Sequence, residues 1–97
     1  VVIGRSTFSS AILNTMDFKH LTDAVVVGEQ TAGKPNHFGE VRNFQLPGSK
    51  LTVAYSTKYF RRTDEEADTI TPDVRIEMSF TDFTKGIDPV YEWIKAQ

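Results

Sequence analysis

The sequence predicts an α/β fold: a βαβ unit followed by a β-hairpin, a further strand and a C-terminal helix. Two short apolar runs, at residues 1–4 and 24–29, flank a segment with helical spacing. That order is typical of two parallel strands joined by a crossover helix. Later segments alternate apolar and polar residues, as strands with one covered face do. With 97 residues, the chain is one domain or part of one.

The first elements are two strands and the helix between them. The run VVIG at residues 1–4 is rich in β-branched residues and ends at a glycine. Residues 9–21 have helical spacing, with Ile12, Leu13 and Met16 available for one inner face. The run AVVVGE at residues 24–29 is the second strand. Continuous apolar runs indicate strands that are covered on both faces.

The second half of the chain predicts a hairpin, a strand and a final helix. Two segments, 40–46 and 51–60, flank the turn sequence PGSK, and the second of them alternates apolar and polar residues. Residues 72–79 alternate again, so we expect a third strand there. Asp88 followed by Pro89 is typical of a helix start, because aspartate caps the helix and proline suits its first position.

Composition excludes several classes of partner and site. The net charge is −2 and acidic and basic residues are interspersed, which argues against a nucleic-acid or anionic-membrane partner. No cysteine is present, so disulfides and thiolate metal sites are excluded. No apolar run approaches the roughly 18 residues of a membrane-spanning helix. The acidic run at 64–68 lacks the ligand pattern and glycine of an EF-hand, so we expect no metal site.

A cluster of hydroxyl residues lies where the first strand leads into the helix. Ser9 stands at the helix start, where the helix dipole favours a developing alkoxide. The N–H of Ser10 would then be placed to donate to an oxyanion. The alternative is that Ser6, Thr7 or Ser9 caps the helix by accepting a hydrogen bond from its first turn. Position alone favours the cap.

A serine nucleophile needs a base, and Lys34 is the main candidate. Ser-Lys pairs are a recognised variant of the catalytic triad. A lysine acts as a base near neutrality only if its pKa falls well below the ordinary range, which burial beside apolar groups can cause. Lys34 would lie near Phe8 if the two loops converge. His37 in the same loop is a second candidate base, and the ordinary alternative for Lys34 is a solvated loop residue.

The stretch from Gly4 to Lys34 resembles the catalytic domain of the C-terminal processing peptidases, also called tail-specific proteases. Those enzymes place a nucleophilic serine at a strand-helix turn and end a GExTxGK segment with the catalytic lysine. Here GEQTAGK ends at Lys34, and the family interval of 25 residues leads back to Ser9. The later segments YSTKYF, ITPDVRIEMS and GIDPVYEWI also follow the family's order. The resemblance covers nearly the whole chain.

The resemblance implies a serine endopeptidase on a ClpP-like or crotonase-like core. Ser9 would attack a peptide carbonyl, Lys34 would pass the proton to the leaving amine, and the N–H of Ser10 would line the oxyanion hole. The partner would be a polypeptide substrate, and no metal or cofactor would be needed. A bacterial, extracytoplasmic location is implied by the resemblance alone.

The resemblance also implies that residues 1–97 are the C-terminal portion of the catalytic domain, without its upstream half or any PDZ domain. We therefore expect the chain to be inactive alone. A partial domain exposes a sheet edge and apolar faces, so we also expect self-association through that edge.

Departures from the family pattern leave alternatives open. The family usually has Ser-Ala-Ser-Glu from the nucleophile onward, where this chain has Ser-Ser-Ala-Ile. A glutamine that often holds the lysine is replaced by Phe38, which leaves Asn36 and His37 as candidates to orient it. In a tricorn-like Ser-His-Ser-Glu scheme, Glu40 or Glu66 would be the acid and Lys34 would be structural.

A different class of function also stays open, namely a non-catalytic binding module of the same fold. Its pocket would be lined by Tyr55, Tyr59 and Phe60. The ordinary alternative for those aromatic residues is a place in the core. Ser9 and Lys34 at the family interval favour the enzyme, and the missing glutamate and glutamine favour the binding module.

Overall fold

The computed structural model describes residues 1–97 as five strands and three helices. The strands are β1 (Val2–Ile3), β2 (Val27–Gly28), β3 (His37–Gln45), β4 (Thr52–Phe60) and β5 (Val74–Arg75). The helices are α1 (Ser10–Leu21), α2 (Phe80–Lys85) and α3 (Pro89–Lys95). The predicted α/β class is confirmed at this level.

The body of the molecule is a three-stranded parallel sheet in the order β1-β2-β5, with α1 as the crossover between β1 and β2. Val2 pairs with Val27, and Val27 pairs with Val74 on its other side. The N–H of Glu29 donates to the Ile3 carbonyl at 3.1 Å, just beyond the paired residues. The predicted βαβ unit is therefore present, with very short strands.

The hydrophobic core is small and lies between α1 and this sheet. Its five buried members are Ile3, Ile12, Met16, Val26 and Ile70. Of the residues expected on the inner face of α1, Ile12 and Met16 are buried and Leu13 is half-buried. So few buried side chains give the chain limited hydrophobic stabilisation, because the hydrophobic effect scales with the apolar area removed from water.

Asp73 ties the helix to the sheet. One carboxylate oxygen accepts a hydrogen bond from Lys19 Nζ at 2.7 Å, and the other accepts from the Val26 N–H at 2.9 Å. Both contacts favour the ionised carboxylate and lower the pKa of Asp73, the lysine contact most. The residue thus joins α1, β2 and the segment that enters β5.

The long strands β3 and β4 form an antiparallel hairpin that extends from this body. Their register runs from His37 opposite Phe60 to Gln45 opposite Thr52. The connecting turn ends at Lys50, which has a φ of 61°. No residue of either strand is buried, so the expectation that alternation in β4 marks a covered face is wrong for this chain. Its apolar side chains have nothing packed over them.

The overall shape reflects the projecting hairpin. The radius of gyration is 17.5 Å and the longest dimension is 58 Å. A compact chain of this length would have a radius of gyration of about 13 Å.

Two short helices close the chain, one more than expected. The N-cap of α2 is Ser79, whose hydroxyl accepts from the Asp82 N–H while the Asp82 carboxylate accepts from the Ser79 N–H. The predicted start of α3 is confirmed, because Asp88 accepts hydrogen bonds from the N–H groups of Val90 and Tyr91 at 3.0 Å. None of the three helices is long and apolar enough to cross a membrane.

Candidate active site

The turn between β1 and α1 is closed by reciprocal hydrogen bonds. The N–H of Thr7 donates to the Gly4 carbonyl at 2.8 Å, and the N–H of Gly4 donates to the Thr7 hydroxyl at 3.0 Å. Thr7 is therefore occupied in shaping the turn. Ser9 follows as the residue that precedes the first helical position.

Ser9 has a strained backbone and an unused hydroxyl. Its φ is 53° and its ψ is −119°, outside the regions that a residue with a β-carbon ordinarily adopts. Although Ser9 occupies the N-cap position, its side chain makes no capping hydrogen bond, and the residue is exposed. The capping alternative therefore does not account for this hydroxyl.

The N–H of Ser10 is available beside that hydroxyl. The next two amides are engaged, because Ala11 N–H donates to the Phe8 carbonyl at 3.1 Å and Ile12 N–H donates to the Ser9 carbonyl at 2.9 Å. Ser10 N–H itself donates to no group of the chain. It lies at the positive end of α1, where a backbone amide can stabilise an anion.

The segment GEQTAGK has a loop geometry set by its glycines and threonine. Gly28 has a φ of 126°, and a β-carbon on it would lie 2.1 Å from the Ile3 carbonyl oxygen, so only glycine fits there. The buried hydroxyl of Thr31 donates to the Gly33 carbonyl and accepts from the Ile70 N–H, each at 2.8 Å. These contacts anchor the loop to the core.

The two loops converge as expected. A β-carbon on the buried Gly33 would lie 3.0 Å from the Ile12 side chain and 3.3 Å from the Phe8 ring. Gly33 precedes Lys34, and Phe8 precedes Ser9. The fold therefore brings the loop that carries the candidate base against the start of the helix that carries the candidate nucleophile.

The Lys34 side chain points away from this apolar contact. Its ammonium forms an ion pair with Asp68, and 58% of the side chain is exposed. The hydrogen bond to Asp68 and the charge of Asp68 raise the pKa of Lys34, with smaller contributions from the charges of Glu66 and Tyr59. Burial was expected to lower this pKa, but the side chain lies in solvent beside an acid. At neutral pH Lys34 is a charged ammonium.

The two residues considered as orienting groups have other contacts. The Asn36 side chain is buried; its amide nitrogen donates to the Thr63 carbonyl at 2.9 Å, and its oxygen accepts from the N–H groups of Arg62 and Thr63. His37 Nδ1 lies 3.0 Å from the backbone carbonyl of Lys34. Both residues shape the loop, and neither contacts the Lys34 ammonium.

The two candidate acids lie in different places. Glu40 is in β3 with a φ of 56°, and its carbonyl accepts a hydrogen bond from the Thr57 hydroxyl at 2.8 Å. Glu66 is exposed and close enough to Lys34 for its charge to raise the pKa of that lysine. Neither carboxylate is hydrogen-bonded to Ser9. No group of three or more His, Asp or Glu side chains is placed to hold a metal ion.

A cleft of about 440 Å³ opens at the carboxyl ends of the three parallel strands. Its lining includes Gly4 and Arg5 from the turn that leads to Ser9, Glu29 after β2, and Ile76 after β5. Arg5 and Glu29 form an ion pair at 3.2 Å on its wall. Ligands of open α/β sheets commonly bind at this edge. The cleft therefore adjoins the candidate nucleophile turn.

Sequence reasoning missed Asp68, the acid that holds Lys34. It had grouped this residue with the acidic surface run at 64–68, and nothing in the spacing marks it among its neighbours. It also missed Thr31, whose signal was its place between the two glycines of the GEQTAGK segment. Comparison with protein-family models and with curated protein sequences found no match to this chain.

Proposed function

We propose that this chain carries the nucleophile and one oxyanion donor of a serine endopeptidase. The observation that supports this most is the Ser9 backbone, with a φ of 53° and a ψ of −119° and no hydrogen bond from its hydroxyl. Strain of this kind costs about 1–3 kcal/mol and is concentrated at functional sites. A strained serine on a strand-to-helix turn is how α/β hydrolases expose a nucleophile.

The proposed reaction is acyl transfer to Ser9. Its hydroxyl oxygen attacks the peptide carbonyl carbon, and its proton passes to a neutral Lys34 amine. The N–H of Ser10 donates to the oxyanion that forms. The resulting ammonium then protonates the leaving amine as the C–N bond breaks, which leaves an acyl-enzyme. Water hydrolyses that ester with the lysine again as base, and free Ser9 is restored.

Lys34 can take this part only after it leaves Asp68. While the ion pair stands, its amine keeps its proton and cannot accept another. A substrate or further protein surface that covers the loop would remove the amine from water and lower its pKa. The contact of Gly33 with Phe8 and Ile12 supplies an apolar wall for such a covered site.

A second candidate is a serine peptidase in which a histidine from outside residues 1–97 is the base and Lys34 is structural. The Lys34–Asp68 ion pair favours it, because the lysine already has a structural partner. In that scheme Ser9 and Ser10 keep their roles, and of the two candidate acids Glu66 is the one whose charge contributes to the raised pKa of Lys34.

The test is reaction of the chain with a fluorophosphonate probe, followed by mass spectrometry of its peptides. We expect Ser9 to be labelled at least about tenfold faster than Ser6 or Ser10, because only its oxyanion would face the free Ser10 N–H. Lys34→Met separates the two schemes when labelling is compared in an Asp68→Asn background at alkaline pH, where the ion pair is gone and part of the amine is neutral, since the substitution slows labelling there only if the lysine is the base. Labelling that is equal at all three serines, or unchanged when the chain is unfolded in urea, would overturn the proposal.

A further inference from the structure

The β3–β4 hairpin has one aromatic face and one polar face. Phe38 packs on Tyr59 with 4.8 Å between ring centroids, and Phe44 packs on Tyr55 with 6.0 Å between them. Because alternate residues of a strand share a face, these four residues and Val53 lie on the same side, here called the aromatic face. The opposite side, here called the polar face, carries Asn43, Gln45, Thr52, Ser56 and Lys58, together with Val41, Ala54 and the stacked rings of His37 and Phe60.

The aromatic face is open to solvent. Phe38 is 71% exposed, Phe44 50%, Tyr55 48% and Tyr59 46%. A two-stranded hairpin is at best marginally stable in water by itself, and a sheet with one apolar face needs a second layer over it. No residue of this hairpin is buried by the rest of the chain. The second layer must therefore come from another molecule or from another part of a longer one.

The total accessible surface is large for a chain of this mass. It is 7081 Å² for 10.9 kDa. A compact monomer of that mass exposes about 5,600 Å², so the excess is roughly 1,500 Å². A stable protein–protein interface removes about 800 Å² from each partner. The chain therefore has enough surplus surface for a full dimer interface.

We propose that the aromatic face is the interface of a symmetric dimer, in which the hairpins of two copies pack face to face. Arg42 pairs with Tyr55 on this face, and Glu40, two positions earlier in β3, lies where the pairing is interrupted, with a φ of 56° and its carbonyl bound by the Thr57 hydroxyl. A two-fold axis that passes between them sets each copy's Glu40 opposite the other's Arg42. The face is thus complementary to itself in charge, as an isologous interface requires.

The packing would be that of two stacked sheets. Nine-residue strands are about 30 Å long, and stacked sheets lie about 10 Å apart with interdigitated side chains. The four aromatic rings would lie on either side of the two central ion pairs, and aromatic residues are enriched in such contacts. The dimer uses neither Ser9 nor Lys34, so it is independent of the proposed peptidase function.

Sedimentation of the 97-residue chain over a range of concentrations tests the dimer. We expect a dimer at about 100 μM that dissociates on dilution, as mass action requires. Phe44→Lys and Tyr55→Lys on the aromatic face should each weaken the dimer about a hundredfold or more, because each places a charge in its apolar core. Gln45→Lys and Ser56→Lys are matched controls on the polar face, and they should change the dissociation constant less than about threefold.

Charge reversal gives a second test that does not depend on the aromatic variants folding. Glu40→Arg makes both positions positive, and Arg42→Glu makes both negative, so neither variant should self-associate. Mixed together they should form heterodimers, because every opposing pair is then of unlike charge. If Glu40 and Arg42 interacted only within one hairpin, mixing the two variants would not restore association.

A wild-type chain that stays monomeric at about 100 μM would overturn the proposal and assign the aromatic face to a different partner. Dissociation by the polar-face controls to the same degree would also overturn it, since another surface would then form the dimer. A mixture of Glu40→Arg and Arg42→Glu that remains monomeric would also overturn the proposal.

Discussion

The Lys34 ammonium and the Asp68 carboxylate form an exposed ion pair on the loop that packs against the start of α1. The two residues lie 34 positions apart in the chain, so the pair joins two loops. The charge state of the candidate base is therefore controlled by a residue outside its own motif.

Asp68→Asn should lower the pKa of Lys34 toward the ordinary lysine value. The substitution removes the charge of Asp68 and weakens the hydrogen bond, the two largest causes of the raised pKa. A titration of the lysine side-chain signals by NMR would measure the change. Asp64→Asn is the matched control, since Asp64 pairs with Arg61. An unchanged Lys34 pKa in Asp68→Asn would show that the ion pair does not persist in solution.

Asp73 should make the protein sensitive to acid. Its pKa is lowered in the folded state, so its contribution is present above the ordinary aspartate pKa and is lost as the pH falls through the lower folded value. Asp73→Asn should therefore melt at a lower temperature than wild type at pH 7, and the gap should close toward about pH 2. Melting curves across this range would measure it, with Asp23→Asn as the exposed control. A gap that does not change with pH would contradict the prediction.

Gly28→Ala should unfold the chain or nearly so. The new β-carbon would lie 2.1 Å from the Ile3 carbonyl oxygen, and alanine would have to adopt a φ of 126°. We expect a loss of at least about 3 kcal/mol in the free energy of unfolding, measured in urea. Gly48→Ala in the hairpin turn has open space around its β-carbon and should change stability by less than about 0.5 kcal/mol. Equal losses of stability in Gly28→Ala and Gly48→Ala would refute the close approach of Gly28 to the Ile3 carbonyl.

The 97-residue chain should not cleave casein at neutral pH. Lys34 is held protonated by Asp68, and an ammonium cannot accept the proton of Ser9. Release of labelled peptides from fluorescent casein would be compared with that of Ser9→Ala. Cleavage that disappears in Ser9→Ala would prove this prediction wrong while supporting the proposed nucleophile.

Local patterns in the sequence predicted much of the architecture. The β-branched runs predicted β1 and β2, the helical spacing predicted the buried face of α1, and Asp88-Pro89 predicted the start of α3. Each of these signals depends on residues that are close to one another in the sequence. The helix α2 was missed because six residues are too short to show a periodic pattern, although Ser79 and Asp82 form a capping box.

Contacts between distant segments could not be predicted in the same way. Alternation in β4 shows which side of the strand is apolar but not which element covers it, and in this chain none does. The family interval between Ser9 and Lys34 likewise says nothing about where the lysine side chain points. That direction depends on Asp68, which is chemically equivalent in sequence to the other acids of its run.

The three hydrogen bonds of the Asn36 side chain close the base of the β3–β4 hairpin. They hold the segment that enters β3 against the residues that follow β4, at the base of the hairpin. Asn36 is two positions from Lys34, and the strand it clamps leads directly into the acidic run that contains Asp68. The base of the hairpin therefore lies beside the lysine that the proposed chemistry needs to release.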